Sequence, residues 1–561
     1  MKYDYDAIVI GSGISGGWAA KELTEKGLKV LLLERGKQIE HKKDYHNEWK
    51  NPWDMPFKGS GDQAMFNEQY PVQSKGRYGD EYSIDHFVND KENPYQTTET
   101  EPFQWRRSYQ TGGRSLVWGR QCYRWSDIDF ESNLNDGHGV DWPIRYADVA
   151  PWYDHVESFI GVSGAKEGLA QLPDGQFQKP MPLMLIEQNL REALQEHMPE
   201  RRLTIGRTAN LSEAVGDRSL CQNRSICARG CSFGAYFSTQ SSTLPAAVAT
   251  GNLTLMNDAL VETLEYDEEK KRISSVNVIH TQQNKRQKYT ARLVFLCAGS
   301  VNSVALLLRS QSPTFPNGLA NSSGVLGKYF MDHANTLAAA AVVPGFEDHY
   351  YDGNRPTGIV VARFRNIKPE AEKLGFTRGY SYQGGAFRQT WVRGKRMAGL
   401  GKDYKNELKK PGPWVFALTV FAESIPQESN RITLSDKKDQ YGIPQVHIAF
   451  KHGDNERAAL ADAAAEAKKM LALIGGHVVA SSDQPNFGGT AVHEMGGARM
   501  GKDPKTSVLN KYNQAHDVPN LFVTDGAAMA SSASQNPSLT YMALTARAVA
   551  YAVEQLKSGA L

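Results

Sequence analysis

The sequence predicts an α/β fold that joins a Rossmann-like domain to a separate α+β domain. Near the N-terminus, the apolar run DAIVI precedes the glycine turn GSGISGG, the helical segment WAAKELTEKG and a second apolar run ending at Glu34. This order is typical of a βαβ unit. A further run, RLVFLCAGS, leads into the helical SVNSVALLLRS. Between residues 335 and 485, β-type stretches precede the helical ERAALADAAAEAKKMLALIGG, which indicates the α+β domain.

Length and composition indicate a globular protein with more than one domain. The chain has 561 residues, whereas a single domain usually has roughly 100–200. A formal net charge of +2 gives no reason to expect a nucleic acid or an acidic membrane as a partner. Five cysteines in so long a chain do not make the disulfide framework of a small secreted protein.

The N-terminal residues predict no export signal. Met1-Lys2-Tyr3-Asp4 leads directly into the first strand, without a basic region, an apolar signal core or a cleavage site. The longest purely apolar runs, such as 337–343, are far shorter than the ~20 residues that a membrane-spanning helix needs. We therefore expect no direct membrane span, and any membrane attachment would come through a partner.

The first glycine turn has the spacing of a dinucleotide-binding motif. Gly11, Gly13 and Gly16 close a predicted strand and open a predicted helix. Glycine allows the tight turn and the close approach of a pyrophosphate, while the helix N-terminus favours the phosphate charge. Glu34 ends the second strand, where it can accept hydrogen bonds from an adenosine ribose. The motif predicts nucleotide binding but does not distinguish FAD from NAD.

Four segments spread over the chain resemble the glucose–methanol–choline (GMC) oxidoreductase family. They are the first glycine turn, GGRSLVWG at 112–119, CAGSVNSVALLLRS at 297–310, and the tail from His493 through TDGAAMASSASQNPSLTYMAL. GKYFMDH at 327–333 also resembles the family's segment near the domain junction. The resemblance implies the GMC fold. Its discontinuous FAD-binding domain would cover 1–44, 105–334 and 486–561, and its substrate-binding domain 335–485.

Residues 45–104 interrupt the predicted FAD-binding domain. This segment is polar and rich in aromatic residues, and it shows no clear period of 2 or 3.6. Long connections of this kind usually carry function. We therefore interpret residues 45–104, here called the excursion, as a lid or as a surface for a partner.

The resemblance also implies which residues hold FAD. The GGRSLVWG segment would run along the flavin, the backbone of Val261 would meet the adenine, and Asp525 with Gly526 would approach the phosphate and ribityl portions. No histidine stands in GGRSLVWG, where some relatives attach FAD covalently, so we expect noncovalent FAD. The candidate cofactor-binding residues are Gly11, Ser12, Gly13, Ile14, Ser15, Gly16, Glu34, Arg35, Gly112, Gly113, Ser115, Trp118, Gly119, Val261, Ala298, Gly299, Asp525, Gly526, Asn536 and Pro537.

By the same resemblance, His493 and Asn536 form the catalytic pair. His493 stands in HEMGGARMG and Asn536 in SQNPSLT. Alcohol oxidation needs a base for the hydroxyl proton while the carbinol hydride passes to flavin N5, and a neutral imidazole can be that base near neutral pH. The amide of Asn536 can position the same hydroxyl.

The stretch CQNRSICARGC holds Cys221, Cys227 and Cys231, three of the five cysteines. Its spacing fits neither common zinc sites nor the usual ferredoxin runs. The bacterial sugar dehydrogenases of the GMC family are similar in having a three-cysteine loop that binds a [3Fe–4S] cluster, and this resemblance implies the same role here. Three reduced thiols, one disulfide with a spare thiol, and a zinc site with a fourth ligand stay open as alternatives. We expect Cys122 and Cys297 to lie outside the cluster.

The sequence therefore predicts an FAD-dependent dehydrogenase that oxidises a secondary hydroxyl of a sugar or glycoside, with 3-oxidation of glucosides favoured. The related subset includes glucoside 3-dehydrogenases, FAD glucose dehydrogenases, fructose dehydrogenases and gluconate 2-dehydrogenases. Electrons would pass through the cluster to a cytochrome c-type or quinone-linked acceptor. The alternatives are a cluster-free GMC oxidase or choline-type alcohol dehydrogenase, and a noncatalytic flavin electron-transfer protein.

The same resemblance predicts where the protein acts. Relatives act outside the cytoplasmic membrane although their flavoprotein chain lacks a signal, which implies co-export with a small signal-bearing subunit. We expect a periplasmic or membrane-associated location, with the cytoplasm as the alternative.

Overall fold

The computed structural model describes residues 3–349, 355–367 and 374–561. Two internal stretches of the predicted substrate-binding domain, 350–354 and 368–373, lie outside the described residues, as do residues 1 and 2.

The described residues form nineteen strands and eleven α-helices. The helices are α1 (Ile14–Glu25), α2 (Gln63–Gln69), α3 (Asp127–Phe130), α4 (Ser132–Asp136), α5 (Tyr146–Ile160), α6 (Leu185–His197), α7 (Thr243–Ala249), α8 (Ser300–Arg309), α9 (Gly401–Lys409), α10 (Asp454–Ala472) and α11 (Ser538–Lys557). The strands are β1 (Tyr5–Ile10), β2 (Val30–Leu33), β3 (Gln96–Thr97), β4 (Val162–Ser163), β5 (Phe177–Gln178), β6 (Leu203–Ile205), β7 (Leu253–Met256), β8 (Ala259–Asp267), β9 (Arg272–His280), β10 (Lys285–Tyr289), β11 (Ala291–Leu296), β12 (Ala334–Val342), β13 (Ile359–Val361), β14 (Tyr380–Arg388), β15 (Trp414–Ala422), β16 (Arg431–Lys438), β17 (Pro444–Ala449), β18 (His477–Ala480) and β19 (Leu521–Val523).

A parallel sheet of five strands, in the order β19-β11-β1-β2-β7, forms the first layer. Its apolar runs are buried on both faces, as parallel sheets require. In β1, Ala7 and Val9 pack against α1 and α11, while Ile8 and Ile10 belong to a separate core on the opposite face. Each valine or isoleucine side chain among them contributes roughly 1.5–3 kcal/mol when it is fully buried.

An antiparallel sheet, in the order β18-β12-β15-β14-β13-β6, forms the second layer. Alternation along β15 gives this sheet two different faces. Phe416, Leu418 and Val420 point into a core that α6 and α10 cover, whereas Thr419 and Phe421 line a cavity between the two layers. The second layer therefore supplies one wall of that cavity.

The two cores divide the chain differently from the predicted domain limits. Helix α6 and strand β6 precede residue 335 but pack into the core of the second layer. Strands β16 and β17 lie within 335–485, but Ile432 and Ile448 belong to the core of the first layer. Hydrophobic periodicity shows that one face of an element is buried, but it does not show which core that face packs into. The predicted domain limits therefore assign these elements to the same domain as their neighbours in sequence.

The excursion lies against the three-cysteine loop and the cavity. It consists of α2, β3 and several short 3-10 turns. Tyr45 packs on Gly230, where an added Cβ would lie 2.4 Å from the ring, and Glu48 pairs with Arg224. Lys75 to Tyr78 line the cavity. Within the described part of the chain, no helix is both long enough and apolar enough to cross a membrane.

Candidate active site

A cavity of about 780 Å³ between the two layers brings together the four segments that carry the family resemblance. Eighteen of the twenty candidate cofactor-binding residues line it, and Gly16 and Gly112 do not. An added Cβ on Gly16 would lie 1.7 Å from the carbonyl oxygen of Gly11, and one on Gly112 would lie 2.3 Å from the Gln240 side chain. These two glycines therefore permit close packing behind the cavity wall.

The first glycine turn leaves open space at the N-terminus of α1. An added Cβ on Gly13 would meet no atom within 4 Å, although Gly13 immediately precedes the helix. Gly11 has a φ of +95°, which glycine adopts readily. The free N–H groups of the first helical turn therefore face a cavity where a phosphate can approach them.

Two buried carboxylates hold the backbone around the cavity. Glu34 accepts hydrogen bonds from Ser12 N and Oγ, at 3.1 and 2.6 Å, and burial raises its pKa. Asp525 accepts bonds from Gly299 N and Ala527 N, both at 2.9 Å, and from the Ser303 hydroxyl. Burial raises the pKa of Asp525 to about 6. These bonds fix the glycine turn and join the start of α8 to the C-terminal tail.

Two buried polar atoms indicate that the cavity is built for a polar ligand. Arg106 Nη1 and Ser108 Oγ are buried, belong to residues that line the cavity, and have no hydrogen-bond partner among the described residues. Buried polar groups are nearly always paired. A ligand with oxygen acceptors would satisfy both atoms, and together with the open N-terminus of α1 they fit a dinucleotide such as FAD.

The predicted catalytic pair meets in this cavity. Asn536 Nδ2 lies 2.9 Å from His493 Nε2, and Gln383 donates a hydrogen bond to Asn536 Oδ1. Since the amide nitrogen can only donate, His493 Nε2 is the acceptor and carries no proton. Burial, with the adjacent His333 and the charge of Arg114, lowers the pKa of His493 well below its usual value. The imidazole is therefore neutral, with Nε2 free to accept a proton.

The backbone holds His493 tightly. Asp332 Oδ1 accepts a hydrogen bond from His493 N at 3.0 Å, and Val492 has a φ of +59°. A β-branched residue rarely adopts that conformation, and such strain is concentrated at functional sites. Arg114, from GGRSLVWG, binds both carboxylate oxygens of Glu494 and so ties the predicted flavin-side loop to the histidine segment.

A polar wall that the sequence motifs did not predict faces the predicted catalytic pair. Asn335 on β12 lies opposite Phe421 on β15, and Gln383 on β14 lies opposite Thr419. Directly opposed residues of antiparallel strands share a face. Asn486 and Thr490 extend the wall, which contains amides, hydroxyls and one aromatic ring. The wall depends on the register of three strands that are distant in sequence. Only the alternation of side chains along β15, which puts Thr419 and Phe421 on the same face, could have indicated part of it.

The three cysteines of CQNRSICARGC converge, as the sequence predicts, on one small cavity that is separate from the large one. The space measures about 20 Å³, roughly enough for a single water molecule. None of the five cysteines forms a disulfide. The described residues contain no group of three His, Cys, Asp or Glu side chains placed to hold a metal ion. These observations do not show the predicted [3Fe–4S] cluster.

The thiols of this loop lie in a partly basic environment. Burial raises the pKa of Cys221 to about 11 and also raises that of Cys231. Arg224 Nη2 lies 3.8 Å from Cys231 Sγ. Cys122 and Cys297 are buried elsewhere, in two other parts of the core.

Comparisons with known proteins agree with this geometry. Two family models, both described as GMC oxidoreductase, match residues 5–335 and 426–545. The 2-methyl-1,2-propanediol dehydrogenase of Mycolicibacterium austroafricanum is 27% identical, with 97% of this chain and 94% of that protein covered. The fructose dehydrogenase large subunit of Gluconobacter japonicus is 25% identical, with 99% and 98% covered.

A solved structure shows the same fold. Pyridoxine 4-oxidase from Mesorbium loti superposes with a TM-score of 0.61 at 16% identity, and the match covers 98% of this chain and 99% of that one. The family models span most of the chain and include both layers, the glycine turn and the catalytic pair, which supports FAD as the ligand of the large cavity. The chain therefore belongs to the GMC oxidoreductase family and is an oxidoreductase.

Proposed function

We propose that this protein is an FAD-dependent dehydrogenase that oxidises a secondary hydroxyl of a neutral sugar or glycoside. The observation that carries the proposal is the position of His493 and Asn536, between the predicted FAD-binding segments and an uncharged polar wall. FAD, when bound, supplies the acceptor for the two electrons of the alcohol oxidation. Its binding groups would be the N-terminus of α1, Glu34, Arg106 and Asp525.

The protein's own part in the reaction is to orient the alcohol and to remove its proton. The unprotonated His493 Nε2 accepts the hydroxyl proton, and Asn536 Nδ2 directs a hydrogen bond to the same region. Gln383 holds the Asn536 amide in this orientation. The site lies in the cavity between the two layers.

The wall supports a neutral substrate with several hydroxyl groups. Asn335, Gln383, Asn486 and the two threonines offer both donors and acceptors, and Phe421 offers an apolar ring face. Arg114, whose charge acts on His493, is paired with Glu494, and the residues of the wall are uncharged, so they offer no ionic partner to an acid or an amine. The fructose dehydrogenase relative acts on a sugar of this kind, and 3-oxidation of glucosides is the form of the reaction that we favour.

A substrate panel with a dye acceptor tests this proposal. We expect neutral sugars and glycosides to reduce the dye faster than gluconate or an aminoglycoside, and NMR of the product to show oxidation at C3. Preference for a charged substrate would contradict the proposal that the polar wall binds a neutral sugar. Absence of flavin reduction by every sugar and alcohol would favour the noncatalytic electron-transfer alternative.

The three-cysteine loop is our proposed site for the [3Fe–4S] cluster, supported by the convergence of the three thiols on one cavity. The small volume of that cavity favours a second candidate, a cluster-free GMC dehydrogenase or oxidase. Iron and sulfide analysis of anaerobically purified protein distinguishes the two. About three irons per chain, lost in Cys227→Ser, would support the cluster, and iron-free protein that reduces dioxygen would support the second candidate.

We also propose that the protein assembles with a small signal-bearing subunit and a cytochrome c-type or quinone-linked acceptor, and that it acts in the periplasm. The similarity to a chain that is named a large subunit supports a partner. Trp49, Trp53 and Phe57 of the excursion are exposed, and Trp49 contacts Arg224 of the three-cysteine loop. We expect Trp53→Ser to slow electron transfer to a cytochrome while the dye rate stays unchanged. An equal loss in both assays would contradict a partner surface there.

A further inference from the structure

A second buried histidine lies directly against the proposed catalytic base. His333 precedes β12, and its side chain is 1% exposed. Its Nδ1 lies 2.8 Å from His493 Nδ1, with the two rings at 80° to each other. Only one of these two nitrogens can carry the proton of their hydrogen bond, so the contact has a direction that the surroundings must set.

The other side of His333 sets that direction. His333 Nε2 lies 3.0 Å from the carbonyl oxygens of both Ser532 and Ala533. Carbonyls only accept, so Nε2 carries the proton. Burial lowers the pKa of His333 to about 4, which keeps the ring neutral with a single N–H. Its Nδ1 is then an acceptor, and His493 Nδ1 must donate to it.

We propose, on the basis of the proposed function, that His333 is a positioning residue that holds His493 in the tautomer protonated at Nδ1. The unprotonated atom of His493 is then Nε2, which faces Asn536 and the cavity. The hydrogen bonds run in one direction, from Asn536 to His493, from His493 to His333, and from His333 to the two carbonyls.

The elements around His333 keep its two acceptors in place. Ala533 has a φ of +52°, and Ser532 Oγ exchanges hydrogen bonds with the backbone of Ser424, at 2.9 and 3.1 Å. The neighbouring Asp332 holds the backbone of His493. One dipeptide therefore fixes both the backbone and the ring of the proposed base.

A neutral partner has a chemical consequence that a carboxylate would not have. A carboxylate beside the imidazole would stabilise its protonated form and raise its pKa. His333 orients His493 without a negative charge, so the base stays unprotonated in mildly acidic solution. The ionisable groups near the pair are Asp332, Glu494 and Arg114 beside His493, and His452 beside His333.

Two substitutions separate the two hydrogen bonds of His333. In His333→Asn, an amide oxygen can occupy the place of Nδ1 and still accept from His493. In His333→Gln, an amide nitrogen can occupy the place of Nε2 and still donate to the carbonyls, but the acceptor for His493 is lost. We expect flavin reduction to fall roughly 100-fold or more in His333→Gln, as for loss of a general base, and less than about 10-fold in His333→Asn.

His452→Asn is the matched control for damage to a buried site. His452 is also buried, and neither of its ring nitrogens has a hydrogen-bond partner among the described residues. We expect this variant to keep the wild-type rate. If the rate of flavin reduction fell as much in His452→Asn as in His333→Gln, the proposal would be contradicted, because general destabilisation would then explain both losses.

Tautomer spectra provide a readout that does not require turnover. In ¹⁵N-histidine-labelled protein, with His493→Asn used for assignment, we expect His493 to be protonated at Nδ1 in the wild type and in His333→Asn. In His333→Gln we expect a shift towards the Nε2-protonated tautomer. Protonation of His493 at Nε2 in the wild type would overturn the inference, whether or not a sugar is a substrate. Protonation at Nδ1 without any sugar oxidation would overturn the proposed function alone.

Discussion

At the scale of single residues, the proposed activity depends on a base, His493, that is neutral without being exposed. Burial removes water from around His493 and lowers its pKa, and the adjacent His333 and the charge of Arg114 lower that pKa further. Such a base is available at any pH above its own low pKa. Activity that depends on it should fall only on the acidic side, below the usual histidine range.

Removal of this base gives the first prediction. We expect His493→Ala to bind FAD normally and to lose 10²–10⁴-fold in the rate of flavin reduction. In the wild type that rate should stay nearly constant between about pH 6.5 and 8. Stopped-flow measurement of flavin absorbance checks both. A near-normal rate in His493→Ala would show that another group takes the proton, and a rate that rises through pH 7 would show that the base titrates there.

Sequence motifs drew attention to residues that the structure brings together, but not to residues whose place depends on tertiary contacts alone. His493 and Asn536 stand in recognisable motifs, and the structure places them in contact. Gln383 stands in none of the quoted motifs, and His333 ends GKYFMDH without a role assigned to it there; their partners lie 153 and 160 residues away. Their roles follow from tertiary contacts, which local patterns do not encode.

At the scale of elements, the glycines of the first turn divide into two kinds. Gly16 packs against the backbone of Gly11 and lies outside the cavity wall, whereas Gly13 faces open space within it. One position therefore supports the fold and the other leaves room for the ligand. The motif alone does not distinguish the two roles, because it specifies only the spacing of the glycines. It does not show which atoms a side chain at each position would contact.

Alanine at each position tests this division. We expect Gly16→Ala to destabilise the apoprotein by about 1–3 kcal/mol or more, because its Cβ would overlap a carbonyl group that cannot move aside easily. Gly13→Ala should change apoprotein stability by less than about 1 kcal/mol but weaken FAD binding strongly. Thermal unfolding of the apoprotein and fluorescence titration with FAD check the pair. Equal stability losses would contradict the division.

Secondary structure was largely predictable because the runs are strongly periodic. Strands β1, β2 and β11 and helices α1, α10 and α11 lie where the hydrophobic pattern indicates. The grouping of α6 and β6 with the second layer was not predictable, because either core could bury the same apolar face. The strands of the polar wall likewise depend on pairings such as Gln383 with Thr419.

At the scale of the whole molecule, a buried ionic network joins the two layers. Arg378 is 3% exposed and donates to Glu423 of the second layer, at 2.9 Å, and to Asp136 and Asn133 of α4, at 2.8 and 2.7 Å. Helix α4 is bound in turn to the C-terminal tail, since Asn133 donates to the carbonyl of Ala530. This network fixes the polar wall relative to the catalytic pair.

Removal of one partner from such a network leaves buried charges uncompensated. We therefore expect Arg378→Met to lower the free energy of unfolding by about 3–5 kcal/mol. Arg286→Met, which breaks a well-formed but exposed pair with Glu262, should cost no more than about 1 kcal/mol. Urea unfolding of both variants measures the difference, and similar losses would show that Arg378 does not join the layers.

The same network predicts how the stability lost in Arg378→Met depends on pH. Burial tends to raise the pKa of Asp136, but the hydrogen bonds and charge of Arg378 outweigh it and lower that pKa overall. A carboxylate with a depressed folded-state pKa stabilises the protein above its unfolded-state pKa of about 4, and this stabilisation is lost as the pH falls through the folded-state value. The difference in stability between wild type and Arg378→Met should therefore be full at pH 7 and shrink below about pH 4. A difference that grew on acidification would show that Asp136 is not the carboxylate through which Arg378 stabilises the junction.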